Sequence, residues 1–322
     1  MKRAFGRYLV AVLLGCALTV YAQDYPSPSK PVKVIVPYVA GGTTDLMART
    51  VAEILREKWG QTVIVENRAG AGGNIGAEVA WRSAPDGYTL LLSAPGPLAV
   101  NKSLYSKLSY DSDAFVPITV VSTSHSVLIV HPKLAADSVP QLIALAKSNP
   151  DRLNYASSGS ASTPHLAAEL FKVLAGIKVA HVPYKGNGPA LTDLVAGHVD
   201  ITFVELSLAL PLIRAGKVRV LAFGSEKRKA FMPEVPTVSE SLPGFVSVTW
   251  FGLVAPPKTP QAIANQLATT IAEGLKQPEI AKRLAGINIE AGGGTPAEMT
   301  QFMKQESERW GNVIRATGMT VE

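Results

Sequence analysis

Residues 32–49, VKVIVPYVAGGTTDLMAR, predict a strand, a glycine-rich turn and the start of a helix. The run from Val32 to Val36 is almost wholly apolar, which is typical of a strand covered on both faces of a parallel sheet. In the helix that follows, Met47, Val51 and Ile54 recur at helical spacing and form an apolar stripe that packs on the sheet. The stretch therefore predicts an α/β unit whose stripe lies in the core.

The rest of the chain repeats this alternation, which predicts mostly parallel sheets flanked by helices. Further strands are predicted at 62–66, 88–93, 118–121, 127–130, 179–182, 199–204, 218–223 and 248–255. Helices are predicted at 45–58, 75–83, 139–148, 164–174, 189–196 and 206–215, and three more begin at Thr259-Pro260, Pro278 and Thr295-Pro296. Threonine before proline predicts an N-cap and a first turn. The last helix is expected to pack back over the first lobe.

The length and composition predict a folded protein with two lobes. A chain of 322 residues exceeds what one hydrophobic core usually serves. Hydrophobic residues make up 47% and charged residues 17%, which is a globular composition.

The first 22 residues predict a removable export signal. Lys2, Arg3 and Arg7 precede an apolar run at 8–20, and cleavage is expected after Ala22. The alternative is a membrane anchor, but the run is shorter than the roughly 20 residues of a spanning helix. We therefore expect an exported protein.

Cys16, the only cysteine, lies inside this signal and offers a second alternative, a lipoprotein acylated at Cys16. Cleavage after Ala22 would remove it and leave no thiol for disulfides, catalysis or metal binding. Removing the three basic residues of the signal lowers the formal charge from +6 to +3. This small, dispersed charge predicts no nucleic-acid binding.

Two loops are candidates for binding an anion. The glycine loop, residues 37–45, follows the first strand, where backbone N–H groups at a helix start can approach a carboxylate. The alternative is a plain turn capped by Thr44 or Asp45. The serine loop, residues 155–165, supplies hydroxyl and backbone donors without adding charge, and the alternative is a flexible loop with a cap.

The sequence does not favour three other kinds of site. His165 and Glu169 share a helix face, but no third metal ligand has suitable spacing. The serines beside His165 offer a hydrolase nucleophile without a Gly-x-Ser-x-Gly elbow. Residues 68–76 approach a dinucleotide fingerprint, but Ile75 stands where its third glycine belongs, so a tight turn is expected, with Asn74 facing the cleft.

The motifs together resemble the substrate-binding proteins of tripartite tricarboxylate transporters, also called Bug receptors, over essentially the whole mature chain. The resemblance rests on PYVAGGTTDLMAR (37–49), VENR (65–68), DGYTL (86–90), YASSG (155–159), HVPYKG (181–186), AGHVD (196–200) and WFGL (250–253). It implies an α/β, two-lobe periplasmic binding protein fold of type II, with two crossover segments and a ligand cleft between the lobes. Lobe 1 would comprise residues 23–122 and 225–322, and lobe 2 residues 123–224.

The resemblance also implies a function and a set of ligand-binding residues. The chain would capture a small carboxylate-bearing metabolite without turnover or cofactor, act as a monomer, and deliver the ligand to integral membrane transporter subunits. A receptor that presents its ligand to a signalling partner is the alternative. The residues carried over are Tyr38, Gly41, Gly42, Thr43, Asp45, Ser157, Ser158, Ser162, Thr163, Tyr184 and Lys185, and Asn74 and Glu205 are added as cleft candidates.

Two positions depart from the family pattern. Ala161 stands where a glycine is common, and Glu205 stands where many relatives have aspartate. Glu205 is expected either to face the cleft and select a cationic or hydrogen-bond-donating group, or to cap the helix at Leu206.

Overall fold

The computed structural model describes residues 25–27, 29–150, 152–160 and 162–320. The export signal at residues 1–22 and the lipidation alternative at Cys16 lie outside the described residues. Within them, no helix combines the length and apolarity needed to cross a bilayer.

Strands and helices alternate along most of the described chain. The strands are β1 (Val32–Val36), β2 (Val63–Asn67), β3 (Thr89–Ser93), β4 (Val116–Val130), β5 (Asn154–Ser157), β6 (Ala180–Pro183), β7 (Ile201–Glu205), β8 (Arg219–Phe223), β9 (Val248–Ala255) and β10 (Ile289–Ala291). The helices are α1 (Thr43–Trp59), α2 (Asn74–Trp81), α3 (Asn101–Leu104), α4 (Val139–Ser148), α5 (Thr163–Ala175), α6 (Asn187–Ala196), α7 (Leu206–Arg214), α8 (Gln261–Leu275), α9 (Pro278–Gly286) and α10 (Pro296–Thr317).

The long strand β4 joins two half-sheets. Its residues Val116–His125 pair with β9, and Ser126–Val130 pair with β7. Two separate strands were expected here, but the polar residues between them continue one ladder. Each half-sheet has three parallel strands, β2-β1-β3 and β6-β5-β7, beside antiparallel neighbours. The sheets are therefore mixed rather than mostly parallel.

The second crossover runs beside β4, from β8 to β9. The Gly224 N–H donates to the Ser126 carbonyl, and the Ser247 N–H donates to the Gly224 carbonyl, both at 2.8 Å. A Cβ on Gly224 would lie 2.5 Å from the Ser247 carbonyl oxygen, so the close approach of these backbones requires glycine. Two hydrogen-bonded strands thus connect the two lobes.

Each half-sheet is covered on both faces. In the first, α1 and α8 pack on one face through residues such as Met47 and Ile271, and α2 and α10 cover the other. In the second, α4 and α5 cover one face, and α6 and α7 cover the other. Both sets of parallel strands end at loops, where α/β proteins place their ligands.

The C-terminal helix α10 spans both halves. Thr295 caps it and accepts from the Glu298 N–H at 3.2 Å, as expected from Thr295-Pro296. The expectation for Thr259 is wrong, because Pro260 takes the N-cap position and the Thr259 hydroxyl donates to Pro256. Met299 packs in the first half and Trp310 in the core of the second. The helix therefore does more than pack over the first lobe.

Candidate functional site

The glycine loop holds an uncapped helix start. Gly42 is the N-cap residue of α1 and supplies no side chain, so no hydroxyl or carboxylate caps the first N–H groups of the helix. The alternative in which Thr44 or Asp45 is the N-cap is therefore wrong. Free N–H groups at a helix N-terminus attract anions. Thr43, the first residue of α1, lies at this point.

The Asp45 carboxylate is hydrogen-bonded within the protein and stabilises the glycine loop. It accepts from the Gly41 N–H (3.1 Å), Asn67 Nδ2 (3.1 Å) and Arg49 Nε (2.9 Å). Burial alone would raise the pKa of Asp45, but these hydrogen bonds, led by that from Arg49, hold it below its usual value. Asn67 Nδ2 also donates to the Tyr38 carbonyl, so Asp45 and Asn67 together fix the backbone of the glycine loop.

Tyr38 and Asn74 lie in one polar cluster beneath this loop. The Tyr38 hydroxyl bonds to Ser93, and burial raises its pKa to about 12. Asn74 Oδ1 accepts from Asn101 Nδ2 at 2.6 Å and from the Tyr110 hydroxyl at 3.0 Å. The carbonyl end of Asn74 is thus used within the protein.

A π-helical turn at Gly96–Val100, which the sequence patterns do not predict, leads into Asn101. A Cβ on Gly96 would lie 3.5 Å from the Tyr38 hydroxyl and 3.3 Å from Asn101 Oδ1, so this turn borders the same cluster. Such turns frequently occur at functional sites. The available signal was the segment Pro95-Gly96-Pro97 directly after β3.

Of the serine and threonine hydroxyls in the serine loop, two are used internally, two half-buried ones are not, and that of Ser160 is exposed. Ser157 is fully buried, and Ser162 caps α5 while its hydroxyl donates to the Gly159 carbonyl at 2.7 Å. The half-buried hydroxyls of Ser158 and Thr163 make no hydrogen bond with the described residues. Ser158 and Thr163 are therefore the serine-loop side chains placed to meet a ligand.

The loop after β6 is joined to the serine loop by its backbone. The Tyr184 N–H donates to the Ser157 carbonyl (3.0 Å) and the Gly186 N–H to the Ser158 carbonyl (3.2 Å). The Tyr184 hydroxyl donates to Asp193 of α6 at 2.5 Å, while Lys185 is exposed. Tyr184 therefore braces α6, and Lys185 is the cation of this loop that solvent or a ligand can reach.

Glu205 ends β7 and lies beside this loop. Although it is the N-cap residue of α7, its side chain makes no capping bond, so the capping alternative is wrong. Its Oε2 accepts from Asn187 Nδ2 at 3.0 Å, and burial raises its pKa. Among the described residues, no lysine or arginine forms an ion pair with it. Glu205 is thus a half-buried carboxyl that forms no ion pair with the described lysines and arginines.

A serine–histidine pair exists, but it is not the pair that the sequence suggested. Ser157 Oγ lies 2.7 Å from His181 Nε2, whereas His165 stacks on His181 with ring centroids 4.1 Å apart. Because Ser157 is fully buried, no substrate can reach its hydroxyl. Glu169 accepts from Tyr155 (2.5 Å) and from Lys172 (2.6 Å), so it serves neither a metal nor a catalytic histidine.

The thirteen predicted residues form two groups. Tyr38, the glycine loop and Asn74 lie at the ends of β1 and β2, while the serine loop, Tyr184, Lys185 and Glu205 lie at the ends of β5, β6 and β7. No hydrogen bond or ion pair joins the two groups within the part of the chain that the structure describes. The two groups therefore lie at the ends of two different sets of parallel strands.

A groove of about 650 Å³ lies elsewhere, between α7 and the turn from α9 to β10. None of the thirteen predicted residues lines it. It is lined by Ser207, Leu210, Pro211, Arg214, Ala215, Gly286, Ile287 and Asn288. One wall of this groove comes from α7, and the other comes from the turn between α9 and β10.

Comparison with known proteins gives consistent similarities. The sequence profile of the family described as "Tripartite tricarboxylate transporter family receptor" matches residues 47–319. Rpa4515 of R. palustris, solved with adipate, is 37% identical with a TM-score of 0.83, covering 91% of this chain and 99% of its own. The periplasmic binding protein BugD is 32% identical with a TM-score of 0.80, covering 92% and 100%.

A third solved structure agrees with these two. MatC (Rpa3494) of Rhodopseudomonas palustris, solved with malate, is 31% identical with a TM-score of 0.80, covering 89% of this chain and 100% of its own. The similarities confirm the predicted two-lobe fold with its cleft and crossovers. They also confirm the predicted resemblance, and they favour a binding protein over an enzyme.

Proposed function

We propose that this chain, which belongs to the family of tripartite tricarboxylate transporter receptors, captures a small carboxylate and delivers it to the membrane subunits of such a transporter. Adipate and malate occupy the solved relatives Rpa4515 and MatC. Membership of a receptor family favours delivery to a transporter over presentation to a signalling partner. Neither a hydrolase role nor a cofactor is part of the proposal.

The observation that carries the proposal is the pair of donor-rich loops at the ends of parallel strands in the two lobes. In lobe 1, the uncapped start of α1 at Gly42 offers N–H groups. In lobe 2, Ser158 and Thr163 offer hydroxyls, and the exposed Lys185 adds a positive charge. A carboxylate that both loops contact stabilises the closed arrangement, because only the closed protein engages both.

We further propose which residues touch the ligand and which hold the loops. Direct contacts come from Gly41, Gly42, Thr43, Ser158, Thr163, Lys185 and Glu205. Tyr38, Asp45, Asn74, Ser157, Ser162 and Tyr184 act through the backbone of the loops, because their side chains are bonded within the protein.

For the lobe boundaries, the oligomeric state and the export signal, we propose what the sequence predicts. We propose lobe 1 at residues 23–122 and 225–322 and lobe 2 at 123–224, supported by the change of partners along β4 at Ser126. The chain acts as a monomer after export and cleavage behind Ala22, with lipidation at Cys16 as the alternative.

A thermal-shift panel tests the proposed function. Succinate, adipate, malate, citrate and aspartate are each added at a concentration far above their dissociation constants. A ligand at one hundred times its dissociation constant stabilises the folded state by about 2.7 kcal/mol, which raises Tm by about 5 °C in a chain of this size. Native mass spectrometry of the freshly purified protein identifies a ligand that was carried through. If no carboxylate raises Tm and none co-purifies, the proposed function is wrong.

Glu205 is expected to select ligands that carry an amino or hydroxyl group. Its carboxyl lacks a cation, so it can accept a hydrogen bond from such a group but repels a second carboxylate nearby. Glu205→Gln should weaken aspartate or malate binding by about tenfold, since a bond to a charged group contributes about 1.5 kcal/mol or more. Succinate, which has the same chain length without the donor, should bind the variant at least as well as the wild type.

Isothermal titration measures these affinities, and Glu234→Gln, at an exposed position, serves as the matched control. Equal losses for malate and succinate in Glu205→Gln would show that Glu205 does not distinguish them.

A further inference from the structure

Three nearly parallel rings lie directly beneath the serine loop. The His181 ring is 4.8 Å from that of Tyr155 and 4.1 Å from that of His165, with interplanar angles of 16° and 10°. Tyr155 and His165 are buried, and Tyr155 is anchored by its bond to Glu169. The rings come from β5, β6 and α5, the elements that flank the loop. They form a rigid support on one side of it.

The His181 ring of this support contacts the loop through the Ser157 hydroxyl. Ser157 Oγ lies 2.7 Å from His181 Nε2, 3.2 Å from the Gly159 nitrogen and 3.1 Å from the Gly159 carbonyl oxygen. Gly159 has φ of +127°, a conformation that side-chain-bearing residues rarely adopt. The Ser157 hydroxyl therefore links an unusual turn to a buried imidazole.

The single proton of this hydroxyl limits how the network can be arranged. If His181 Nε2 accepts from Ser157, the hydroxyl oxygen accepts from the Gly159 N–H. If His181 Nε2 donates, the Ser157 oxygen still accepts from the Gly159 N–H, and the Ser157 proton is donated to the Gly159 carbonyl. The imidazole therefore decides whether the Ser157 proton is shared with His181 or with the Gly159 carbonyl. A leucine at 181 would leave Ser157 without its shortest partner.

We propose that His181 is a positioning residue for ligand binding, which through Ser157 fixes the turn at Gly159 and so the direction in which Ser158 faces the ligand. The inference rests on the proposed function, because Ser158 is taken to touch the carboxylate. According to this inference, Ser157 and His181 hold the conformation of the binding loop and do not act as a nucleophile and its base. Burial lowers the pKa of His181, so the ring is held as a neutral partner that can donate or accept.

A double-mutant cycle with a conservative rescue tests this inference. The variants are His181→Leu, His181→Gln, Ser157→Ala and the double variant Ser157→Ala/His181→Leu, and the probe is whichever carboxylate of the panel binds the wild type best. We expect His181→Leu and Ser157→Ala each to weaken binding by about tenfold, as for one lost hydrogen bond. The double variant should bind no more than about twofold more weakly than Ser157→Ala, because His181 acts only through Ser157.

The variant His181→Gln distinguishes the hydrogen bond of His181 to Ser157 from the packing of its ring. A glutamine amide reaches the place of Nε2 and retains both a donor and an acceptor, so we expect affinity within about threefold of the wild type. His131→Leu, at a histidine outside this network, is the matched control and should leave affinity unchanged. If His181→Leu does not fold, the comparison of Ser157→Ala with His181→Gln still decides the question.

The outcomes distinguish this inference from the proposed function. If no carboxylate binds the wild type, the proposed function fails. If a carboxylate binds and the two single losses add fully in the double variant, or His181→Gln binds as weakly as Ser157→Ala, the positioning role is wrong and the receptor function stands.

Discussion

Replacing Trp310 with alanine is expected to lower the free energy of unfolding by about 4 kcal/mol, the range for a fully buried tryptophan. Trp310 is 1% exposed and lies in a core that combines Val100 of the first half with Leu166 and Phe171 of the second. The substitution leaves a large cavity where α10 meets both halves. Urea denaturation followed by far-UV circular dichroism measures the loss.

Part of this effect comes from a buried carboxylate. Glu306 accepts from the indole nitrogens of Trp250 (2.9 Å) and Trp310 (3.2 Å) and pairs with Arg309. Arg309 lies 4.3 Å above the Trp310 ring, so removing the ring also uncovers the ion pair.

Two variants serve as controls for Trp310→Ala. Trp310→Phe keeps most of the ring volume but leaves Glu306 with one donor fewer, and it should cost about 2 kcal/mol. Phe231→Ala removes an aromatic ring that is 50% exposed, and it should cost less than about 1 kcal/mol. A loss below about 1 kcal/mol in Trp310→Ala would show that the packing of α10 through Trp310 does not stabilise the core of either half.

The parts of the fold that could be predicted from the sequence depend on local patterns. The apolar run at β1 and the helical stripe of α1 lie within one stretch, so both could be predicted. Strand β10 has only three residues and depends on pairing with Ser122–Ser124, which are distant in sequence. The continuity of β4 through Ser126 likewise depends on partners that no local pattern reveals.

The candidate site shows the same division. The glycine and serine loops could be predicted because glycine, serine and a following helix are adjacent in sequence. The pairing of Ser157 with His181 could not, since it depends on the parallel register that sets Tyr155 opposite His181. Ser157 is two residues beyond Tyr155 and so lies on the same face of the sheet. The hydrogen bonding of the Asp45 carboxylate within the protein also could not be predicted, because one donor, Asn67, is distant in sequence.

Acid is expected to destabilise the folded protein through His165. Burial, together with the neighbouring His181 and Lys172, lowers the pKa of His165 from 6.5 to about 4, although Glu169 opposes the shift. Between those two pH values the unfolded chain binds a proton that the folded protein excludes, so stability falls as pH falls. The contribution of His165 is fully present above pH 6.5, and about 2 kcal/mol of it is lost by pH 5.

The measurement compares the free energy of unfolding at pH 7 and pH 5 for the wild type and His165→Gln. Glutamine does not titrate, so the loss between the two pH values should be smaller by about 2 kcal/mol in the variant. His125, whose pKa burial also lowers, remains in both proteins and cancels in the difference. A charge on His165 would lie against the ring stack that supports the serine loop. An unchanged pH dependence in His165→Gln would therefore mean that protonation of His165 in the folded protein does not lower the free energy of unfolding.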